Sequence, residues 1–117
     1  MTDTTRQSIV PAVQHGIPAT VPSSNSVTSN PIFTLGLQLV AIALTSSQAG
    51  NITVQRYLDD AGLIKQGPVL TQAITANTAA VLNITDNNPF ATFTVNVSNS
   101  GGVAANLTNL GILLQGK

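Results

Sequence analysis

The chain of 117 residues has no cysteine, no tryptophan and no glutamate, and a single histidine. Without cysteine, neither a disulfide framework nor a thiolate metal centre can be built, so stability rests on packing, hydrogen bonding and association. Charged residues make up only 7% of the chain, and four cations cancel four anions. Arg6, Arg56, Lys65 and Lys117 are too few and too scattered to neutralise a phosphate backbone, which excludes a nucleic-acid partner. Aromatic residues make up 3%: Phe33, Tyr57, Phe90 and Phe93 offer no platform for stacking bases. The longest apolar run, Leu35 to Leu44, is interrupted by Gln38 and falls far short of the roughly 18 to 20 residues of a spanning helix, so no membrane partner is expected. The polar start, Met1 to Arg6, reads as lacking a secretory leader.

What remains is rich in Thr, Asn, Ser and Gln, with 43% apolar residues. A chain of zero formal charge has nothing to repel its neighbours, which suits a protein held in an assembly better than a free monomer.

The inventory also argues against catalysis. His15 stands alone beside Gly16 in a Pro-rich stretch, far from any acid. Asp59 and Asp60 are adjacent, so on a strand they face opposite ways, and in a turn they cap local amides. A pair formed by either with Asp86 has no support from spacing. Asp86-Asn87-Asn88 offers oxygen ligands but lacks EF-hand spacing and a bidentate Glu. Gly67-Pro68 and Gly101-Gly102 precede no helix and match no phosphate-cradling loop. The expectation is a protein that is not an enzyme, with no cofactor, no metal and no small-molecule substrate. Asn-x-Ser/Thr triplets begin at Asn51, Asn83, Asn96 and Asn106, and in so Asn- and Thr-rich a chain they read as composition. Tyr57, with Asp59 and Asp60 in the turn after it, is the best candidate for a ligand contact.

Organisation follows from punctuation. Residues 1–31 contain Pro11, Pro18, Pro22 and Pro31 and read as an extended arm with one short helical turn after Pro11. Its aliphatic residues Ile9, Val10, Val13, Ile17 and Val21 are assigned to contacts with a partner. Residues 32–117 read as one β-domain. Phe33 to Thr45 forms a long strand bent in its middle, with Phe33, Leu35, Leu37 and Leu39 alternating before a continuous apolar run. Asn51 to Leu58 follows, with Ile52, Val54, Arg56 and Leu58 on one face. After the Asp59–Gly62 turn, Leu63 to Gln66 returns antiparallel. Val69 to Thr75, Ala79 to Thr85, Ala91 to Ser98 and Leu107 to Gln115 complete the set. About seven strands separated by regular turns predict an all-β fold, a small β-sandwich of jelly-roll or immunoglobulin-like type. Few charges guard its strand edges, a second sign of a partner.

The segments Asn51-Ile-Thr-Val-Gln-Arg-Tyr-Leu-Asp-Asp-Ala-Gly, Ala79 to Thr85, Pro89-Phe-Ala-Thr-Phe-Thr-Val and Leu107 to Leu114 resemble small β-sandwich structural proteins of tailed bacteriophages. The resemblance spans about Asn51 to Gln115 and lies in pattern and composition; it transfers no site residues. It implies a virion protein made in the host cytoplasm and placed on the capsid surface. There, as a decoration or cement protein, it would bind the major capsid protein and copies of itself, as a homotrimer. The alternative is a phage fibre, tail-tip or carbohydrate-binding β-sandwich module. On this reading a chain lacking residues 1–30 keeps a folded body and loses its hold on the particle.

Overall fold

The computed structural model describes residues 7–34, 36–86 and 88–116. Met1 to Arg6, Leu35, Asn87 and Lys117 lie outside that description, as do the side chains of Gln7, Leu39 and Val40, so expectations resting on them lie outside it too. Ten strands and one helical turn follow in order: β1 (Gln7–Ile9), α1 (Ala12–His15), β2 (Thr20–Val21), β3 (Asn25–Thr28), β4 (Ile32–Phe33), β5 (Gln38–Ser46), β6 (Gly50–Tyr57), β7 (Leu70–Ile74), β8 (Ala79–Asn83), β9 (Thr92–Asn99) and β10 (Ala105–Gln115). The all-β sandwich expected from the turn spacing is what forms.

One sheet runs β1–β10–β5–β8, with β2 also on β10; the other runs β3–β9–β6–β7, with β4 also on β9. Every pairing is antiparallel. β1 and β2 lie end to end on one edge of β10, and β3 and β4 do the same on β9. Counted as rows, each sheet has four, and their order is that of a jelly roll rather than of an immunoglobulin domain.

The core follows from period-two alternation. Phe93, Val95 and Val97 of β9 and Ile52 and Val54 of β6 are buried from one sheet, and Ile42 and Leu44 of β5 with Ile112 and Leu114 of β10 from the other. β10 is too long to keep one phase. Its buried residues are Ala105 and Leu107, then Ile112 and Leu114, so odd positions give way to even ones. The register slips between Thr108 and Gly111, where Asn109 takes φ 55°, a bulge that turns the strand's apolar face back to the core.

Three expectations are corrected. The bent strand Phe33 to Thr45 is two strands in different sheets. β4 ends at Phe33, Leu37 N–H donates to the Thr34 carbonyl (2.9 Å) with Gly36 at φ 84°, and β5 begins at Gln38 in the opposite sheet. The return strand Leu63 to Gln66 shrinks to one bridge, Tyr57 to Lys65. The third correction concerns the arm. Residues 7–33 supply one edge row of each sheet, so the division into an arm over 1–31 and a body over 32–117 does not describe them. Val10 N–H donates to Ile112 O (3.0 Å), Leu107 N–H to Ala19 O (2.8 Å) and Ser29 N–H to Val95 O (2.7 Å). Val10, Ile17 and Val21, assigned to a partner, lie in this chain's own core together with Ile32; only Ile9 and Val13 of that set are exposed. The prolines explain the appearance of an arm. They fall where the edge rows break, and an edge strand tolerates a residue that cannot donate.

Candidate docking surface

The two ends of the sandwich differ in chemistry. At one end the turns meet in a serine- and asparagine-lined groove of about 520 Å³, bordered by Ser24, Asn25, Ser26, Ser98, Asn99 and Ser100. At the other end gather the turn at Gly36, the loop from Leu58 to Val69 and the segment before β9, joined by Thr34 N–H to Ala91 O (3.1 Å) and Ala91 N–H to Tyr57 O (2.8 Å). This second end exposes aliphatic side chains beside the charged Asp60 and Lys65. Leu58, Leu63, Ile64 and Val69 are all exposed, Leu63 at 82%. Phe33 lies exposed where β4 runs into the Gly36 turn.

The loop is firmly held. The Asp59 carboxylate accepts from Leu63 N–H (3.0 Å) and Ile64 N–H (2.9 Å). Leu58 N–H donates to Ile64 O and Gln66 N–H to Arg56 O, both at 2.8 Å. Thr92 Oγ1 donates to Asp59 O (2.9 Å) and Gln55 Nε2 to Gly67 O (3.2 Å). Gly62 and Gly67 supply left-handed backbone at φ 71° and 81°, where a side chain would be strained. The amide of Ile64, with help from that of Leu63, holds the Asp59 carboxyl below the ordinary carboxylate range. Aliphatic groups on a pinned loop dock with less loss of conformational freedom than the same groups on a mobile one.

Beneath the loop, Arg56 continues the inward face of Ile52 and Val54 and is 3% exposed. Its guanidinium Nη1 donates to Asp86 Oδ1 (2.7 Å) and its carbon lies 5.5 Å from the centre of the Phe90 ring. Phe90 meets Phe93 edge to face at 6.0 Å. Arg56 Nε finds no partner among the described residues, so the site is only partly satisfied. The bond from Arg56 is the main reason the Asp86 carboxyl titrates below its usual value, and the Asn88 amide adds to it. Replacing Asp86 by Ala strands a buried cation. The cost for a fully buried pair is about 3 to 5 kcal/mol. Asp86 is 37% exposed, so we expect about 2 kcal/mol, read as a lower urea midpoint at pH 7. Because the folded-state value is depressed, this contribution is present above the ordinary aspartate value of 3.8 and is lost as pH falls through the folded one. The gap between wild type and D86A should therefore narrow below pH 4.

The structure separates the other sequence candidates. Tyr57 is half-buried. The Asp59 oxygens are turned to backbone amides, as its place in a turn suggests, and only Asp60 faces solvent freely. The cleft at this end, about 430 Å³, is lined by Thr34, Gly36, Leu37, Gln38 and the Asn88–Phe90 segment. His15 is buried at the end of α1, its Nδ1 accepting from Ile17 N–H (2.9 Å), and burial lowers its pKa. It orders the chain between β1 and β2. Sequence reasoning missed the exposed aliphatic group because Leu63 and Ile64 were placed in a strand. The usable signal was an apolar pair confined between two turn sequences. It missed the Arg56–Asp86 pair because thirty residues separate the partners, although a buried Arg beside Ile52 and Val54 requires a carboxylate.

No family model, no curated protein and no solved structure matches this chain.

Proposed function

We propose that this is a non-enzymatic virion structural protein of the capsid decoration or cement type, which holds the major capsid lattice through the end of its sandwich that exposes aliphatic side chains. The observation that carries the reading is the pinned loop presenting Leu58, Leu63 and Ile64 to solvent. Monomeric proteins rarely offer grouped aliphatic residues on an ordered loop without a partner for them. The jelly roll is an architecture that viral capsid domains use, which supports the reading at the level of fold. The near absence of charge, and the uncharged outer rows β7 and β8 (Leu-Thr-Gln-Ala-Ile and Ala-Ala-Val-Leu-Asn), suit a chain that spends its life in contact with others. The proposed docking element differs from the arm expected from sequence: it is the loop, because Val10, Ile17 and Val21 of the arm serve this chain's own core and only Ile9 and Val13 are left exposed.

The test is co-sedimentation with purified major-capsid shells. Burying Leu63 and Ile64 contributes about 1.5 to 3 kcal/mol each, and every 1.4 kcal/mol is tenfold in affinity. L63D/I64D should weaken retention by about a hundredfold or more while leaving the urea midpoint nearly unchanged. Equal retention of the variant, or no binding of wild type to shells, would remove the reading.

A further inference from the structure

We propose that residues 7–33 exchange between copies of this chain, β1 to β4 of one copy filling the edges of β9 and β10 in its neighbour. Among the described residues none of these four strands pairs with another of the four; β1 and β2 pair with β10, and β3 and β4 with β9. The segment is therefore a strip laid along one side of a six-stranded body. It contributes Val10, Ile17, Val21 and Ile32 to the core. The body must have those groups, and its edges accept them equally well from either source, since every contact is the same in the closed and exchanged forms.

The joint between strip and body is short. The chain leaves β4 at Phe33 and enters β5, in the other sheet, at Gln38, and Leu37 N–H donates back to Thr34 O (2.9 Å) at this joint. A tight hinge is the feature that favours exchange, because extending it relieves the constraint of turning back. Gly36 sets the balance. It takes φ 84°, available to glycine and tolerated by asparagine, but unfavourable for a β-branched side chain. A Cβ there would meet nothing within 4 Å. Substitution at Gly36 therefore acts on backbone conformation alone and penalises the closed turn.

The inference stands apart from the docking reading, since the loop from Leu58 to Val69 takes no part in it. Its test uses the absence of cysteine. Thr28 and Asn96 are register partners on β3 and β9, and Asn96 Nδ2 donates to Thr28 Oγ1 (2.8 Å). T28C/N96C joins strip to body within one chain in the closed form and between chains in the exchanged form. The protein is refolded from urea at about 1 and about 200 μM, oxidised, and run on non-reducing gels. Covalent dimers or larger species should appear at the higher concentration. G36V in this background should raise their fraction at least tenfold, and G36N should return it to the wild-type level. Covalent multimers in either wild type or G36V support exchange. Monomeric bands throughout overturn it, as does a dimer seen by light scattering that runs as a monomer on the gel.

Discussion

A chain beginning at Pro31 will show no cooperative unfolding transition and will expose its apolar interior to hydrophobic dyes. The deletion removes β1, α1, β2 and β3. Val10, Ile17 and Val21 go with them, each contributing about 1.5 to 3 kcal/mol of burial. Their sum is comparable to the whole stability of a typical domain, about 5 to 15 kcal/mol. The entropy recovered by not ordering thirty residues works the other way, but the loss does not end with the deleted atoms. Val97 loses its cross-strand partner Val27, the Ile112 carbonyl loses the Val10 amide, and the outer backbone groups of β9 and β10 turn to water. Near-ultraviolet circular dichroism and a urea titration decide the matter. A peptide of residues 1–30 added in trans should restore both signals, because β1, β2 and β3 pair only with β9 and β10 among the described residues. A deletion variant that unfolds cooperatively at the wild-type midpoint would show the strip to be dispensable.

That outcome reverses the expectation drawn from the sequence, and the reversal shows what a sequence makes legible. Strict alternation carries most of its strand: in Ala91 to Ser98 the inward set Phe93, Val95 and Val97 is buried, while of the outward residues Thr92, whose hydroxyl donates to Asp59 O, is buried as well. Ile52, Val54 and Arg56 point inward as their spacing requires, whereas Leu58, next in the alternation, lies beyond the end of β6 and is exposed. Alternation records a local property, the side of a pleat, and needs no knowledge of partners. What it cannot record is which strand lies alongside. Two- to four-residue edge strands broken by proline carry too few alternations to be told from an unstructured arm, so β1 to β4 were invisible. The same limit hid the change of sheet at Gly36, where a glycine inside an apolar run looked like a bend. The bulge at Asn109 was hidden because Leu110, Ile112 and Leu114 form a coherent face without it. On the docking surface, the tight turn at Asp59 was legible from Asp and Gly, but its consequence was not. Whether Leu63 and Ile64 are covered depends on what the remaining chain can reach, a tertiary question.

Gly50→Ala is expected to cost about 3 kcal/mol, the upper end of the overpacking range, whereas Gly111→Ala should be neutral or stabilise by about 0.5 kcal/mol. Both glycines lie in strands and neither has positive φ, so conformational freedom does not distinguish them. Space does. A Cβ on Gly50 would overlap the Ser98 carbonyl oxygen and sit 2.7 Å from its carbon, while one on Gly111 meets nothing within 4 Å. The obstacle at Gly50 is backbone, which cannot rotate aside. Relief requires β6 and β9 to part where Gly50 pairs with Asn99 and Asn51 with Ser98. That separation acts on Asn99, a buried side chain tying three segments together. Its Nδ2 donates to Val21 O (3.1 Å), Pro22 O (3.2 Å) and Val103 O (2.8 Å), and its Oδ1 accepts from Gly101 N–H (2.8 Å). A shift at Ser98 and Asn99 thus loosens the crossing from β2 to β3 and the turn before β10 together. Hydrogen exchange should report this as faster amide exchange at Ser24 and Ser100, which are bonded to Gly101 and Ala49, with little change around Asp59 at the far end. Equal urea midpoints for G50A and G111A would mean that β6 and β9 carry more slack at this end than the Asn99 network implies.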